Sequence, residues 1–314
     1  MKSVETSVEL KRDLLTGMEW NPAQVRALFD LAGKMKAHPD RFRSSLAGRV
    51  LILLFEKPSL RTRVTFEVGI ANLGGSSIFL DHTAARVNER EPTRDIAKNL
   101  ERWVQGIIAR VFEQQTLDEL AENANVPVIN ALSDRFHPCQ ALADFFTLEE
   151  RFGGLRGVKL AYIGDGNNMC HSLMTFGART GANVRVATPA GYEPADDVVA
   201  EAKSVGRETH AKIELFRSPE DAVAGAQAVY TDVWASMGQE SEAAERERIF
   251  AGYQVNDELF ALATRDAVFL HCLPAHRGLE VTPDVIDSPR SIIYDQAENR
   301  LHVQKAILHT LLNN

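Results

Sequence analysis

Six consecutive apolar residues, Val50–Phe55, constrain the fold of this chain more than any other stretch. A run without polar positions is typical of a strand that is buried on both faces of a parallel sheet. Apolar residues then recur at helical spacing, at Phe66, Ile70 and Leu73, until Gly74 interrupts them. The stretch therefore predicts a buried strand, a turn and a helix, which together are a building unit of α/β folds.

The same alternation of strand and helix signals continues along the chain. Further strands are predicted at residues 77–80, 106–111, 126–130, 158–163, 183–188, 212–216, 228–231 and 268–270. A helical pattern over residues 138–152 ends at two glycines and bridges two sets of strands. The length of 314 residues suffices for two domains. We predict an α/β protein with a parallel β-sheet flanked by helices in each domain: residues 1–137 completed by a C-terminal helix, 296–314, and residues 138–295.

Two local patterns predict details of the first domain. Thr116 and Glu119 have the spacing of a capping box, which predicts a helix that begins directly after Thr116. Apolar residues at positions 96, 100, 103 and 104 predict a helix whose inward face includes Trp103. Both patterns predict helices between strands, as an α/β fold requires.

Composition excludes several classes of function. The 43 acidic residues outnumber the 35 basic ones, the net charge is −8, and no run is rich in lysine, so duplex nucleic acid is not expected as a partner. Cys139, Cys170 and Cys272 lack the paired spacing of disulfides or of a zinc site. The N-terminal residues are polar, and no apolar run approaches the length of a membrane span. We therefore expect a soluble, cytoplasmic protein without a metal.

Polar side chains follow the predicted strands at six places. In open parallel sheets, ligands bind beyond the carboxyl ends of the strands, so these places are candidates for a binding site. They are residues 59–63, Arg110, residues 137–140, residues 165–168, residues 232–240 and residues 271–274. Because both halves of the chain contribute, we expect an active site in the cleft between the two domains.

The turn after the first strand is a candidate phosphate site. A helix N-terminus presents unpaired N–H groups and the positive end of the helix dipole. Ser59 and Thr62 add hydroxyl groups here, and Arg61 and Arg63 add guanidinium groups that pair well with phosphate. The alternative is that Ser59 only starts a helix and that the arginines form a solvated surface.

The candidates in the second half also have plainer alternatives. A histidine near a helix N-terminus tends to stay neutral, so His137 could donate a hydrogen bond to a carbonyl oxygen, with Gln140 one turn later. The alternative is a capping histidine followed by a surface glutamine. Residues 164–168 resemble a dinucleotide-binding turn, but Met169 stands where the third glycine belongs, which disfavours a nicotinamide dehydrogenase. Asn168 is better suited to the charged groups of an amino acid.

Two further residues could act directly on a substrate. Asp232 could pair with an ammonium group, and the loop that follows it could close over a ligand; the alternative is a plain surface turn. Cys272 could be a nucleophile, a proton relay or an inert buried thiol. We expect Cys139 and Cys170 to be inert.

Together and in this order, the segments resemble the ornithine carbamoyltransferase family, within the aspartate/ornithine carbamoyltransferase superfamily. The sequence reads SLRTR at 59–63, HPCQ at 137–140, DGNNM at 165–169, DVWASMGQE at 232–240, HCLP at 271–274 and AENR at 297–300. The resemblance covers essentially the whole chain, and SMG at 236–238 is the element by which the family recognises ornithine. It implies carbamoyl transfer from carbamoyl phosphate to the δ-amine of L-ornithine, giving L-citrulline and phosphate in arginine metabolism, with no cofactor.

The resemblance also implies a role for each matching residue. Catalysis would involve Cys272, Asp232, Arg110 and His137. Carbamoyl phosphate would be bound by Ser59, Leu60, Arg61, Thr62, Arg110, His137, Gln140, Cys272, Leu273 and Arg300, and by Arg86 from a neighbouring subunit. L-Ornithine would be bound by Asn168, Asp232, Ser236 and Met237. Family members are homotrimers or assemblies of trimers, so the same is implied here.

Two positions depart from the family pattern. Leu60 stands where threonine is more usual, and the family uses this position mainly through its backbone, so we expect little effect. Arg86 stands where many relatives have glutamine or histidine. The alternatives that remain open are a carbamoyltransferase for a related amine, such as putrescine or an N-acylated ornithine, and a catalytically silent homologue that binds carbamoyl phosphate.

Overall fold

The computed structural model describes residues 13–81, 91–235 and 240–313. The chain divides into two compact units, one within Met1–Ser133 together with Leu301–Asn314, and the other within Asp134–Arg300. Each unit contains one sheet, and every pair of neighbouring strands in the two sheets is parallel. The prediction of an α/β protein with two domains built on parallel sheets is confirmed.

The first unit contains a four-stranded sheet in the order β2-β1-β3-β4. Its strands are β1 (Val50–Phe55), β2 (Ser76–Leu80), β3 (Gly106–Arg110) and β4 (Val128–Leu132). Its helices include α1 (Pro22–Ala37), α2 (Leu60–Asn72), α3 (Thr93–Trp103) and α4 (Gln114–Asn123), with a short 3-10 helix at Pro39–Phe42. β1 is buried along nearly its whole length, since it lies between two other strands and its Ile52 and Leu54 share a core cluster with Ala97 and Leu100 of α3.

The second unit contains a five-stranded sheet in the order β7-β6-β5-β8-β9. Its strands are β5 (Lys159–Ile163), β6 (Asn183–Ala187), β7 (Ile213–Phe216), β8 (Ala228–Thr231) and β9 (Val268–His271). Its helices are α5 (Pro138–Phe152), α6 (Asn168–Thr180), α7 (Asp196–Thr209), α8 (Pro219–Val223), α9 (Ala243–Phe250), α10 (Asp257–Phe260) and α11 (Pro283–Ile286), with 3-10 helices at Glu240–Glu242 and Ala251–Tyr253. α12 (Ile293–Leu312) begins in this unit and ends in the first.

The register of the second sheet aligns three candidate segments. Ile163 pairs with Thr231, and Thr231 pairs with His271, so β5, β8 and β9 end side by side. Residues that follow these strands therefore meet at one edge of the sheet. All nine predicted strands are present, with ends within two residues of the predicted ones. Among the described residues, no helix is long and apolar enough to cross a membrane.

Two local predictions for the first unit were wrong. Trp103 is 67% exposed, because α3 ends at this residue and the following Val104 takes the buried position instead. Thr116 does not cap a helix, because α4 already begins at Gln114 after the extended Glu113. Each pattern identified a helix correctly but misplaced its end, where spacing alone carries least information.

Candidate active site

In the first unit, the strand register aligns Arg110 with the end of β1. Phe55 pairs with Arg110, and the amide of Glu56 donates to the Arg110 carbonyl oxygen at 2.8 Å. The Arg110 side chain is buried at this edge of the sheet. The arginine is therefore next to the turn that joins β1 to α2, as the resemblance implies.

The turn itself forms a capped helix N-terminus. Ser59 is the N-cap of α2, and its Oγ accepts from the Thr62 amide at 3.3 Å and donates to the Thr62 Oγ1 at 3.0 Å. Leu60 and Arg61 open the helix, where N–H groups have no acceptor within the helix itself. The Leu60 side chain is 77% exposed, so this position can contribute to a ligand site through its backbone.

The two arginines of this turn differ in their surroundings. The guanidinium of Arg63 lies 3.7 Å from the centre of the Phe79 ring, and its Nε donates to Glu67 at 3.0 Å. The contact with Phe79 joins α2 to β2, so Arg63 has a structural role. Arg61 is half-buried. Lys57 makes a cation–π contact with Phe112, its Nζ lying 4.5 Å from the ring centre, and this contact links the turn to the residues after β3.

In the second unit, α5 presents His137 and Gln140. His137 occupies the N-cap position, but its side chain makes no capping hydrogen bond, and its backbone N–H donates to Ser172 Oγ at 2.8 Å. Gln140 is only 1% exposed, so it is not a surface residue. Its Oε1 accepts from Arg300 Nη1 at 2.6 Å. The structure therefore brings two predicted carbamoyl-phosphate residues, Gln140 and Arg300, into direct contact.

Gly166, in the turn after β5, allows close packing within this chain. A Cβ added to Gly166 would lie 2.3 Å from the backbone nitrogen of Pro194 and 2.6 Å from the carbonyl oxygen of Tyr192. The backbone of a neighbouring loop therefore fills the space next to this glycine, where a dinucleotide fold would place pyrophosphate. Asn168 is the first residue of α6 and is half-buried.

Asp232 lies at the end of β8 within a set of hydrogen bonds. Its Oδ2 accepts from Asn167 Nδ2 at 3.2 Å, and its Oδ1 accepts from the Val233 amide at 2.8 Å and from Cys272 Sγ at 3.0 Å. The side chain is buried. Asn167 also caps α6 through its Oδ1. Segments after three neighbouring strands thus fix one carboxylate.

The thiol of Cys272 is protonated in this environment. Desolvation, followed by the charge and hydrogen bond of Asp232, holds the pKa of Cys272 well above its ordinary value. A neutral thiol donates a hydrogen bond but is a poor nucleophile. The geometry therefore favours a donor role for Cys272 over nucleophilic catalysis. Burial likewise raises the pKa of Cys139, to about 12, and that of Cys170, as expected for inert thiols.

His271 shapes the turn that carries Cys272 and Leu273. Its Nδ1 accepts from the Leu273 amide at 2.9 Å, and its Nε2 lies 3.3 Å from Glu280 Oε1. Potential ligand atoms of Asp232, His271 and Cys272 lie within 4.8 Å of one another, which is close enough to hold a metal ion. However, the Nδ1 lone pair is already engaged, and Cys272 donates to Asp232, so we assign this cluster to hydrogen bonding.

A buried arginine, Arg246, joins two segments of the second unit that follow neighbouring strands. Arg246 on α9 bonds Asp165 Oδ2 at 2.8 Å and the Trp234 carbonyl oxygen at 3.0 Å. It thereby ties the turn after β5 to the segment after β8. Burial raises the pKa of Asp165, an effect that the pairing with Arg246 opposes.

The predicted residues therefore fall into two described groups and one outside them. Ser59 to Thr62 lie beside Arg110 in the first unit, and His137, Gln140, Asn168, Asp232, Cys272, Leu273 and Arg300 belong to the second. The predicted residues Arg86, Ser236 and Met237 lie outside the described residues.

Sequence reasoning missed Asn167, Arg246, Asp144 and Gln296. The strong N-cap preference of asparagine could have identified Asn167. Each of the other three has at least one partner that is remote in sequence: Gln296 for Asp144, Asp165 for Arg246 and Asp144 for Gln296.

The chain is similar to known proteins over nearly its full length. Two family models match: the aspartate/ornithine carbamoyltransferase carbamoyl-P binding domain over residues 12–150, and the Asp/Orn binding domain over residues 156–311. An ornithine carbamoyltransferase of Thermus thermophilus is 52% identical over 307 residues, or 98% of each chain. The solved ornithine carbamoyltransferase of Pyrococcus furiosus has a TM-score of 0.94 at 48% identity, covering 96% of this chain and 97% of that one. The anabolic enzyme of Campylobacter jejuni has a TM-score of 0.92 at 35% identity, covering 96% and 99%.

Proposed function

Because the chain belongs to the aspartate/ornithine carbamoyltransferase family, we propose that it transfers the carbamoyl group of carbamoyl phosphate to the δ-amine of L-ornithine, giving L-citrulline and phosphate. The observation that carries this proposal is the buried carboxylate of Asp232, held by Asn167 and Cys272. A protein that only bound carbamoyl phosphate would not need a carboxylate for an ammonium group. The same observation favours an active transferase over a silent homologue.

We assign the phosphate of carbamoyl phosphate to the turn at the start of α2. Ser59, Leu60, Arg61 and Thr62 would hold it through hydroxyl, backbone and guanidinium donors, and the adjacent Arg110 would neutralise its charge. The register that aligns Arg110 with the end of β1 supports this assignment. The leaving phosphate would thus depart already bound by cations.

The carbamoyl group is assigned to His137, Gln140, Leu273 and Arg300. The δ-nitrogen of ornithine attacks the carbamoyl carbon, a tetrahedral oxyanion forms, and the bond from carbon to the phosphate oxygen then breaks. Donors that meet the oxyanion stabilise it more than they stabilise the planar substrate. The buried contact between Arg300 and Gln140 supports a fixed orientation for both.

Ornithine is assigned to Asn168, Asp232, Ser236 and Met237. Its δ-amine has an ordinary pKa of about 10.4, so it must lose a proton before it can attack. Asp232 is the carboxylate that would pair with the amine, and Cys272 would orient Asp232 as a hydrogen-bond donor. Arg86 would contribute to carbamoyl phosphate from a neighbouring subunit.

On this proposal, residues 1–137 with 296–314 serve carbamoyl phosphate and residues 138–295 serve ornithine. We further propose a homotrimer or an assembly of trimers. Exposed apolar side chains at Leu60, Val64 and Val68 recur every fourth residue along α2, which supports association through this face.

A cytoplasmic location is supported by the absence of a disulfide among the three cysteines, all of them described.

The direct test is an assay of ureido products from carbamoyl phosphate with ornithine, putrescine, N-acetylornithine, lysine and aspartate. We expect citrulline to form fastest. No turnover of ornithine, or faster turnover of another amine, would refute the proposal.

A further inference from the structure

Asp144 is a buried carboxylate that lies one helical turn after Gln140 on α5. It is 0% exposed. Its Oδ1 accepts two hydrogen bonds of 2.7 Å, one from Gln140 Nε2 on the same helix and one from Gln296 Nε2 on α12. None of the roles assigned above involves Asp144, although one of its partners is a proposed substrate residue.

These two hydrogen bonds determine the orientation of both glutamine amides. A side-chain amide has one donor end and one acceptor end, and a carboxylate only accepts. Because each amide turns its NH₂ group toward Asp144, each Oε1 must point away from it. The partners on the far sides agree with this orientation, since an arginine and a backbone N–H can only donate.

The Oε1 atoms of the two glutamines accept hydrogen bonds from different parts of the proposed site. Gln140 Oε1 accepts from Arg300 Nη1 at 2.6 Å. Gln296 Oε1 accepts from the His271 amide at 3.1 Å, directly before Cys272. Five residues of this network are buried, so water cannot easily replace their hydrogen bonds. They are Gln140, Asp144, His271, Gln296 and Arg300.

We propose that Asp144 is a positioning residue for carbamoyl transfer. Its Oδ1 alone orients Gln140 toward Arg300 and Gln296 toward the turn at Cys272. The inference rests on the proposed roles of Gln140 and Arg300 as carbamoyl-phosphate residues. It adds a residue that acts through them without touching substrate.

The electrostatic surroundings fit an acceptor role. Tyr230 on β8 and Cys272 after β9 face the carboxyl group from the sheet, while Arg300 on α12 supplies the nearby positive charge. Burial raises the pKa of Asp144, an effect that hydrogen bonds from Gln140, Gln296 and Tyr230 oppose. Oδ1 can accept both amide donors in either protonation state if the proton sits on Oδ2.

The test compares Asp144→Ala with Asp144→Asn in steady-state kinetics. The alanine removes the acceptor, so we expect the KM for carbamoyl phosphate to rise about tenfold or more and kcat to fall. Asparagine can place its Oδ1 where the carboxylate oxygen was, so we expect both parameters within about threefold of wild type.

Thr147→Val is the matched control on the same helix. Thr147 Oγ1 accepts from Asn299 Nδ2 at 3.0 Å, which is also a buried bond from α12 to α5, but neither of these two residues has a proposed substrate role. We expect Thr147→Val to lower the melting temperature and leave the kinetic constants unchanged. If Asp144→Ala behaves in the same way, Asp144 is a structural residue and the proposal is wrong.

Two further variants separate the possible failures. If Gln140→Ala keeps a normal KM for carbamoyl phosphate, the assigned role of Gln140 fails, and with it the basis of the inference; if Gln140→Ala is impaired while Asp144→Ala is not, only the positioning role fails. Gln296→Met removes the hydrogen bonds of Gln296 to Asp144 and to the His271 amide, which we call the second branch, and leaves Gln140 unchanged. It therefore tests the proposal even if Asp144→Ala does not fold. We expect a fall in kcat of about fivefold with little change in KM; an unchanged kcat would overturn this branch.

Discussion

Polar groups are held in place differently in two regions, the turn at the start of α2 and the buried cluster around Asp144. In the turn, Ser59 and Thr62 are three residues apart, and the groups of this turn that are proposed to bind phosphate belong to one continuous segment. In the cluster, Gln140, Asp144 and Gln296 come from helices separated by more than a hundred residues. The first arrangement is local, whereas the second exists only when the second unit has folded.

This difference determines how each region should respond to mutation. A side chain in the turn can be removed while the helix N-terminus and its N–H groups remain. In the cluster, loss of one partner leaves other buried donors without an acceptor, which costs more than the bond itself. We therefore expect mutations in the turn to affect ligand binding selectively, and mutations in the cluster to affect stability and kinetics together.

The largest effect is expected for Arg61→Ala. Loss of a guanidinium from the proposed phosphate site should weaken carbamoyl-phosphate binding by about 100-fold or more, measured by calorimetric titration. Arg63→Ala is the control in the same turn, since Arg63 contacts Phe79 and Glu67, and we expect it to bind within about threefold of wild type. Equal losses for the two variants would contradict the assignment.

A smaller effect separates Asp232 from Cys272. Asp232→Asn removes the carboxylate proposed to pair with the amine, so kcat/KM for ornithine should fall about 100-fold with carbamoyl-phosphate binding preserved. Cys272→Ser keeps a hydroxyl that can donate to Asp232, so we expect a loss of about tenfold at most. A complete loss of turnover in Cys272→Ser would instead support nucleophilic catalysis.

The pH dependence of stability provides a third test, specific to the buried cluster. Burial raises the pKa of Asp144 to about 7 in the folded protein, against the hydrogen bonds of Gln140, Gln296 and Tyr230 and the charge of Arg300. An unfolded aspartate titrates near about 3.9, so the folded state binds the proton more tightly. Stability from this group is therefore complete below about pH 4 and is lost as pH rises through about 7, by about 4 kcal/mol in total.

Asp144→Asn removes this titration. We expect the melting temperature of wild type, relative to that of the asparagine variant, to fall between about pH 5 and about pH 8. Scanning calorimetry of both proteins across this range checks the prediction. Parallel curves would mean that Asp144 does not titrate in this range.

The smallest effect is expected for two helix caps, one in the turn and one outside both regions. Ser59→Ala and Ser218→Ala each remove an N-cap hydroxyl, from α2 and α8 respectively, and should each cost about 1 kcal/mol of stability. Only Ser59→Ala should also weaken carbamoyl-phosphate binding, because Ser218 has no proposed substrate role. Equal binding in the two variants would remove Ser59 from the ligand site.

Much of the fold and part of the site could be predicted from the sequence. Continuous apolar runs such as Val50–Phe55 predicted the strands, and polar residues at or after the strand ends made Arg110, Asp232 and Cys272 candidates. Predictions failed at helix ends, as for Trp103 and Thr116, because neighbouring packing decides where a helix stops. The plainer alternative for Gln140, a surface glutamine, was wrong because burial depends on α12.

The sequence by itself determined the alternation of strands and helices, the parallel sheets, and the capped turn at the start of α2, because apolar periodicity and helix capping act over a few residues. Only the tertiary structure decided which polar side chains share a buried environment. It joined Asp144 to Gln296, aligned Asn167 and Cys272 on Asp232, and left Cys272 protonated. The physical reason is that pKa values and amide orientations depend on desolvation and on partners that are distant along the chain.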